Sequence, residues 1–499
     1  LTLTEESSMG GGTLALSIDE TAGTNESVIV AQNGLSLSGT VLELRGTASG
    51  SVYSLDLAAY DTASDGSYIL ATTNNVTMTD VSVTLNSTLL QKYFANAAAD
   101  GDGNITAGRN TAYYTGRLSS THNGAAGSAL LDGALAESNP QSTAAGTDLA
   151  SLMDQVDAYL AAGNTGAANR LAAALAGSTI PSLGMAQKDA LRDQMGYIRN
   201  RMGTLGVNEL VVNEDLPGWH VWAQATGSHG ELDASGDRSG YELNTWGGSV
   251  GVDADFTDHV SAGLAFTASW GDYDADGAER ASGDLDAYYL NLYGQVKAKG
   301  WTHKIVLTCG LYDVKLNRTV NDGACGYRTH GETNGTGFGA MYELNYDIRL
   351  NDEGTAVLQP LLGLSVVRTK LDGYAESGET NAGLRVGEQE MTVGTVAVGV
   401  RVAGELSEDA LGRAARGEFR VNAAQDMGDE KCDADVRLNS LGSRIGNVVS
   451  AKEGRTALQI GGGLTVPVGE SSSVYFDVNC DIRAHAASVN GSVGYRYDF

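Results

Sequence analysis

Several stretches carry residues able to do chemistry, beginning with GGSVG at residues 247–251. It has the G-x-S-x-G form of a hydrolase nucleophile elbow. Ser249 would act only from a sharp strand-to-helix turn, yet it sits inside a long strand-like run with no helix after it. The sequence therefore predicts a place in a sheet wall. ADGDGNITAGR sets Asp100, Asp102, Gly103 and Thr106 at calcium-loop spacing, but Ala98 stands where the first acid belongs and Arg109 where the closing bidentate Glu belongs. An Asp-Gly turn is the expectation, with no metal. The glycines of GTGFG at 335 and GGG at 461 lack the strand-then-helix setting of a dinucleotide loop, so they are expected to allow curvature or close approach of another segment. Cys309, Cys325, Cys432 and Cys480 form no CxxC, and His229, His303, His330 and His485 show no triad spacing, so neither a metal nor a catalytic set is expected. No cofactor is implied.

A different signal comes from MAQKDALRDQMGYIRNRMGTL. Leu191, Met195, Ile198, Met202 and Leu205 recur at steps of four and three, and Lys188, Arg192, Arg199 and Arg201 fill the remaining surface of the helix. Such a basic helix stands out in a chain with 61 acidic against 32 basic residues and a formal charge of -29. That charge argues against nucleic acid as a partner.

The elements that must position these residues fall into three textures. Residues 1–110 alternate Thr, Ser, Leu, Val and Gly in short bursts such as GTLALSI and VSVTLNSTLL, which predicts short strands of a β-solenoid or sandwich. Residues 111–211 turn to Ala, Leu and Gln. Thr147 or Asp148 can cap a helix that Gly163 ends, a second segment stops before Pro181, and the basic helix is expected over 186–206. Leu1 is not a start Met and no leader precedes it, so a processed product or a fragment is expected.

Residues 212–499 read as about twelve strands of period two, with short connections (FTDH, KAKGW, NDEGT, GESSS) alternating with long ones. The chain has no apolar run of about 18 residues, but hydropathy is nearly blind to a membrane barrel because lipid-facing and lumen-facing residues alternate. Loops sorted by length onto two rims are the mark of an outer-membrane barrel. A soluble sandwich has no reason to sort them. Ile305, Leu307, Cys309 and Leu311 oppose Lys304, Thr308 and Tyr312, and Val474, Phe476, Val478 and Cys480 oppose Tyr475, Asp477, Asn479 and Asp481. Trp219, Trp222 and Trp301 are expected to form an aromatic girdle at one rim. Cys325 and Cys432 both fall in external loops, where a disulfide and free thiols both stay open.

The helix DALRDQMGYIRNRM, the block LNTWGGSVGVDADFTDHVSAGLAFTASWGDYD and the ending YRYDF together resemble the autotransporters, the type V secretion proteins of Gram-negative bacteria. The resemblance covers the barrel and the helix before it; the first stretch resembles the end of a β-helical passenger on texture alone. It implies an all-β membrane protein whose twelve-stranded antiparallel outer-membrane barrel holds one helix. An intermediate strand count leaves room for one. Arg192, Arg199 and Arg201 would then face lumen acids, with Glu343, Asp347 and Asp477 the candidates by strand parity. Met195 and Met202 lie on the same pore helix. Tyr495, Tyr497 and Phe499 would face lipid and resemble the signal read by the barrel-assembly machinery, while Arg496 and Asp498 face the lumen. Paired asparagines for self-cleavage are absent; only Asn200 and Asn208 flank the helix end, so no cleavage in the pore is expected.

The function implied is delivery and anchoring of a passenger at the cell surface by a monomer. It is transport rather than catalysis, with outer-membrane lipid and lipopolysaccharide, the barrel-assembly machinery and periplasmic chaperones as partners. The alternatives are a surface enzyme or adhesin whose active part lies upstream of Leu1, and a plain solute pore.

Overall fold

The computed structural model describes residues 1–5, 7–47, 55–137, 148–202, 218–257, 259–323, 325–351, 355–408, 414–441, 444–468 and 471–499. Twelve strands form the barrel: β1 (Gly218–Leu232), β2 (Tyr241–Thr257), β3 (Val260–Asp276), β4 (Arg280–Ala298), β5 (Trp301–Asn321), β6 (Gly326–Tyr346), β7 (Ala356–Leu371), β8 (Gln389–Glu408), β9 (Ala414–Gly428), β10 (Thr456–Pro467), β11 (Ser472–Ile482) and β12 (Ala486–Asp498). Each pairs antiparallel with the next. The ring closes through thirteen residue pairs between β12 and β1, from His220↔Asp498 to Leu232↔Ala486. Closure leaves no free sheet edge, which is the condition for a sheet to stand in lipid.

Period two decides the faces. On β5 the outward residues Trp301, Ile305, Cys309 and Leu311 are exposed, and the inward residues Thr302, Lys304, Val306 and Thr308 are buried. Trp301 to Leu311 spans ten steps of tilted strand, about 25 Å of height, which matches the apolar band of such barrels. Beyond Leu311 the outward residues turn polar at Asp313, Lys315 and Asn317, so the rest of β5 stands clear of the lipid. The β4–β5 hairpin turns on Lys299 and Gly300, both at positive φ (50° and 85°), the requirement of a two-residue hairpin whose twist matches its strands.

The sorting of connections differs from the sequence expectation. NRTVNDGACGYRTHGETNG continues the β5–β6 ladder to Asn321↔Gly326, and β3 and β4 pair as far as Asp276↔Arg280. These stretches keep period two, so they extend the wall above the membrane rather than leave it as loops. Only the 371–389 and 428–456 connections are long, and they fold into a four-stranded sheet of Tyr374–Ala375, Leu384–Val386, Asp433–Leu438 and Gly446–Val449.

Before the barrel, Thr13–Ile18, Val41–Gly46 and Ser82–Asn86 stack in parallel register, as do Asn25–Ser38 and Tyr68–Thr79. Leu16, Ile18, Leu37, Leu42 and Leu44 fill the space between, a solenoid rather than a sandwich. The antiparallel hairpin of Phe94–Ala99 and Asn104–Arg109 ends the stack.

Four helices follow: α1 (His122–Glu137), α2 (Asp148–Ala161), α3 (Thr165–Leu175) and α4 (Ile180–Arg201). Asn164 caps α3 through the Ala167 N–H, and Gly177 at φ 74° ends it. The basic helix starts six residues earlier than expected from sequence. Pro181 lies in its first turn, where a missing N–H costs nothing. Residues 203–206, at the other end of the expected helix, lie outside the described residues, as does Asn208. None of the helices is long and apolar enough to cross a membrane, among the described residues.

Candidate functional site: the occupied lumen

Helix α4 lies inside the barrel and is pressed against one wall. On β6, Gly335, Gly337 and Gly339 face inward, and a Cβ on them would stand 2.8 Å from Gln187 Nε2, 3.1 Å from Leu191 Cδ2 and 2.1 Å from Met195 Sδ. Three alternate glycines make a groove one strand wide, and a row of helix residues four apart lies in it. The GTGFG glycines thus have the close-approach role expected of them.

Elsewhere the contact is ionic and hydrogen-bonded, and it runs the length of the helix. Lys188 Nζ meets Glu453 Oε1 at 2.6 Å and Asp189 Oδ1 at 2.8 Å. Arg192 meets Asp426 at 2.9 Å, and Gln194 donates to Thr267 at 2.8 Å. Asp193 accepts from Asn490 at 2.9 Å. Arg199 Nε lies 3.9 Å from Glu343, which also pairs with Lys304 at 3.3 Å. Asn200 donates to Asp477 at 2.6 Å. Arg201 Nη2 meets Asp253 at 2.5 Å, both side chains fully sealed from solvent. Tyr293 donates to the same Asp253 oxygen at 2.9 Å and accepts from Trp222 Nε1 at 2.8 Å. Charge-assisted bonds in so confined a space are strong, and breaking one strands a buried charge. At the outer end, burial opposes ionisation of Glu453, but Lys188, Arg192 and Arg483 outweigh it and hold the carboxyl below its ordinary range. Beside the helix a cavity of 130 Å³, lined by Arg192, Arg420, Asn479, Asp481 and Arg483, leaves room for ordered water.

Not every residue singled out from the sequence comes to the helix. Glu343 and Asp477 do, although Asp477 bonds Asn200 and Arg420 rather than an arginine of α4. Asp347 does not: it lies one residue past the end of β6, in the break before Ile348–Arg349, and accepts from the buried Gln359 of β7 at 2.5 Å. Trp222 is no girdle residue. It stands three positions from Trp219, hence on the opposite face, and is 4% exposed against 50% for Trp219. Trp301 faces outward and packs against Tyr346 at a tilt, ring centroids 4.8 Å apart. Met195 lies in the glycine groove, and Met202 packs with Ile198, Trp222 and Tyr293. Asp253, Asp426 and Glu453 were missed. Parity with Ser249 and Gly251 marks Asp253 as inward, whereas Glu453 lies in a connection where period two gives no signal.

The other chemistry-bearing motifs are spent on structure. Ser249 is buried on β2 and shares a hydrogen bond of 2.8 Å with Thr267. Asp100 accepts from the backbone N–H of Asp102 and Asn104 at 3.0 and 2.7 Å, closing its own turn. Among the described residues no group of three or more His, Cys, Asp or Glu is arranged to hold a metal ion. All four cysteines are free, with Cys325 and Cys432 buried apart and Cys309 exposed on the outer face. On β12, Tyr495 and Tyr497 face outward, as does Phe499 just past its end, and Arg496 and Asp498 face inward with His220 bonded to Asp498 at 2.6 Å.

A closed twelve-stranded barrel with a helix bonded along its lumen is a translocator of the bacterial outer membrane. The sequence matches the Autotransporter beta-domain family over residues 221–479, a little over half of the chain, and the chain belongs to that family. It is 24% identical over 241 residues to an extracellular serine protease of Serratia marcescens, covering 46% of this chain and 22% of that protein. It is 26% identical over 209 residues to an uncharacterized protein in the trpE-trpG intergenic region of Pseudomonas putida, covering 42% of this chain and 33% of that one. The chain thus spans a third or less of the length of these two relatives. Among solved structures it is similar to the translocator domain of the autotransporter NalP from Neisseria meningitidis, at 18% identity and a TM-score of 0.49 over 63% of this chain and 97% of that one. The transport unit of AIDA-I from Escherichia coli gives 16% identity and a TM-score of 0.39 over 61% and 98%. The chain is an outer-membrane protein.

Proposed function

We propose that this chain anchors and displays its passenger, with α4 as the plug of the pore and no catalysis of its own. Arg192, Arg199 and Arg201 hold the helix to lumen acids while Met195 and Met202 pack it to the wall. The observation that carries this reading is the Arg201–Asp253 pair, sealed at 2.5 Å at the inner end of the helix. Pulling such a pair apart would leave an uncompensated buried charge, so it is costly for the helix to leave this position. In support of transport rather than catalysis, Ser249 and Asp100 are both committed to local hydrogen bonds. Tyr495, Tyr497 and Phe499 form an outward aromatic row at the end of the last strand, which suits recognition by the barrel-assembly machinery. The outward apolar band suits outer-membrane lipid and lipopolysaccharide, and periplasmic chaperones would carry the unfolded strands. A closed barrel needs no second chain to complete its sheet, which suits a monomer.

Deleting residues 180–201 tests the plug. The shortened barrel should show raised single-channel conductance in a planar bilayer, and conductance equal to that of the intact chain would defeat the reading.

A further inference from the structure

The ends of the linker helices are completed by side chains from the barrel. The N-terminus of α1 meets the β1–β2 connection, where the Gly124 N–H donates to Asp237 Oδ2 at 2.9 Å. The buried Asn123 side chain donates to the carbonyls of Asp237 and Val449 at 3.1 and 3.0 Å and accepts from the Val449 N–H at 2.9 Å. In α2, the Leu149 N–H donates to Asn381 Oδ1 at 3.0 Å, from the β7–β8 connection. At α4, the Thr179 N–H donates to Glu279 Oε1 at 2.9 Å, and the Ser178 hydroxyl donates to Oε2 at 2.7 Å, from the β3–β4 tip. α3 has a cap from its own preceding residue, and the Ala174 carbonyl in its last turn accepts from Arg318 Nη1 of β5 at 2.8 Å. Arg318 is itself held by both oxygens of Glu376 at 2.8 and 2.6 Å.

Helix termini leave orphan N–H and C=O groups, and helices of this length are marginal alone. Here the missing partners come from several different connections and strands of one barrel mouth. Apolar packing follows the same border: Leu130, Leu152, Leu171 and Leu175 of the helices share one core with Val314, Leu316, Val320, Tyr327, Leu384, Val436 and Val448 of the barrel and its loops. On the far side, the solenoid is tied to α2 by the buried pair of Lys92 and Asp157 and to α1 by Arg109, which donates to the Leu135 carbonyl.

We infer that the external mouth of the barrel is a binding site for its own exported helices: it completes their ends as they fold and holds the solenoid at the surface without a continuous backbone. The ligand is the segment His122–Glu137, recognised by an acid at its N-terminus, an Asn clamp and an apolar bed. The site turns a translocator into a retaining mount, so a chain cut between α1 and α2 is displayed rather than shed.

A protease recognition sequence inserted between residues 138 and 147, long enough to be cut to completion, tests this on isolated outer membranes. After cutting, nothing covalent joins the solenoid and α1 to the barrel. The fragment should sediment with the membranes and be released by denaturant. Asp237→Ala, alone or with Asn123→Ala, should lower the retained fraction by about tenfold or more, and Asp237→Asn, which keeps an acceptor oxygen, should retain the fragment. The change in gel mobility on heating reports whether each barrel is intact, and Asp237→Ala lies outside its strands. Release from the unaltered mouth, or equal retention by Asp237→Ala and the double variant, would overturn the inference.

Discussion

Replacing Arg201 by Met leaves the Asp253 carboxylate in a site sealed from solvent, with Tyr293 donating to one of its oxygens at 2.9 Å. Stranding one member of a buried pair costs about 3–5 kcal/mol. Lys188–Glu453 and Arg192–Asp426 still hold the outer part of the helix, so the loss falls on its last turn. Each 1.4 kcal/mol is a factor of ten, so hydrogen-exchange protection of the amides from Tyr197 to Arg201 should drop by roughly a hundred- to a few thousand-fold. Removing both charges with Arg201→Met and Asp253→Asn leaves a neutral amide of the same shape, and protection should return to within about tenfold of the unaltered protein. Exchange measured by mass spectrometry in detergent micelles decides it. Unchanged protection in the single variant, or a double variant as exposed as the single, would refute the claim that this pair fixes the helix.

Other outcomes follow from the same geometry. Gly339→Leu places a side chain where Met195 Sδ already stands 2.1 Å from a Cβ position, so the helix must leave its groove at a cost of about 1–3 kcal/mol or more; cross-linking between cysteines placed on α4 and β6 should fall. Burial raises the Asp157 carboxyl above its ordinary range against the pull of Lys92, so the folded state binds its proton more readily than the unfolded chain, and this contribution is lost as pH rises through the raised value. Lys92→Met should therefore make the solenoid–helix junction more protease-sensitive at pH 8 than at pH 5, and a flat pH profile would contradict this. Burial, aided by the Asp433 charge, pushes the Cys432 thiol up to about 12; a water-soluble maleimide at pH 8 should label it only after heat denaturation.

Much of the barrel was legible because lipid and lumen impose opposite demands on neighbouring residues. Period two survives from Trp301 to Asn321 even where the strand leaves the membrane, and what misled was composition: Asn, Asp, Gly and Thr at 317–335 read as loop until the ladder pairs them. The helix α1 was not legible. HNGAAGSALLDGALAE carries three glycines, which weaken a helix, but a Cβ at Gly127 would sit 1.8 Å from the Ala172 carbonyl oxygen of α3. Close packing required the glycines, and propensity cannot see a neighbour 45 residues away. The acids that meet α4 split the same way. Glu343 and Asp477 were readable by parity within strands, whereas Glu453 depends on how a long connection folds back, and Asp347 is taken by Gln359 of the neighbouring strand instead of the helix. The segment read as stopping before Pro181 does end there, at Leu175, and the same proline also lies in the first turn of α4.

The ion pairs of α4 have a consequence for a cell that meets changing water. Lys188, Arg201 and Asp253 have fully sealed side chains, and Glu453 and Asp426 keep only 5% and 6% of theirs exposed. Dissolved ions screen exposed charges within about 10 Å at 0.1 M, but buried pairs hardly at all. Carried from a freshwater stream into brine, the bacterium would keep the same stopper in the same place, because the electrolyte outside does not reach the Lys188–Glu453 and Arg201–Asp253 pairs that hold its two ends.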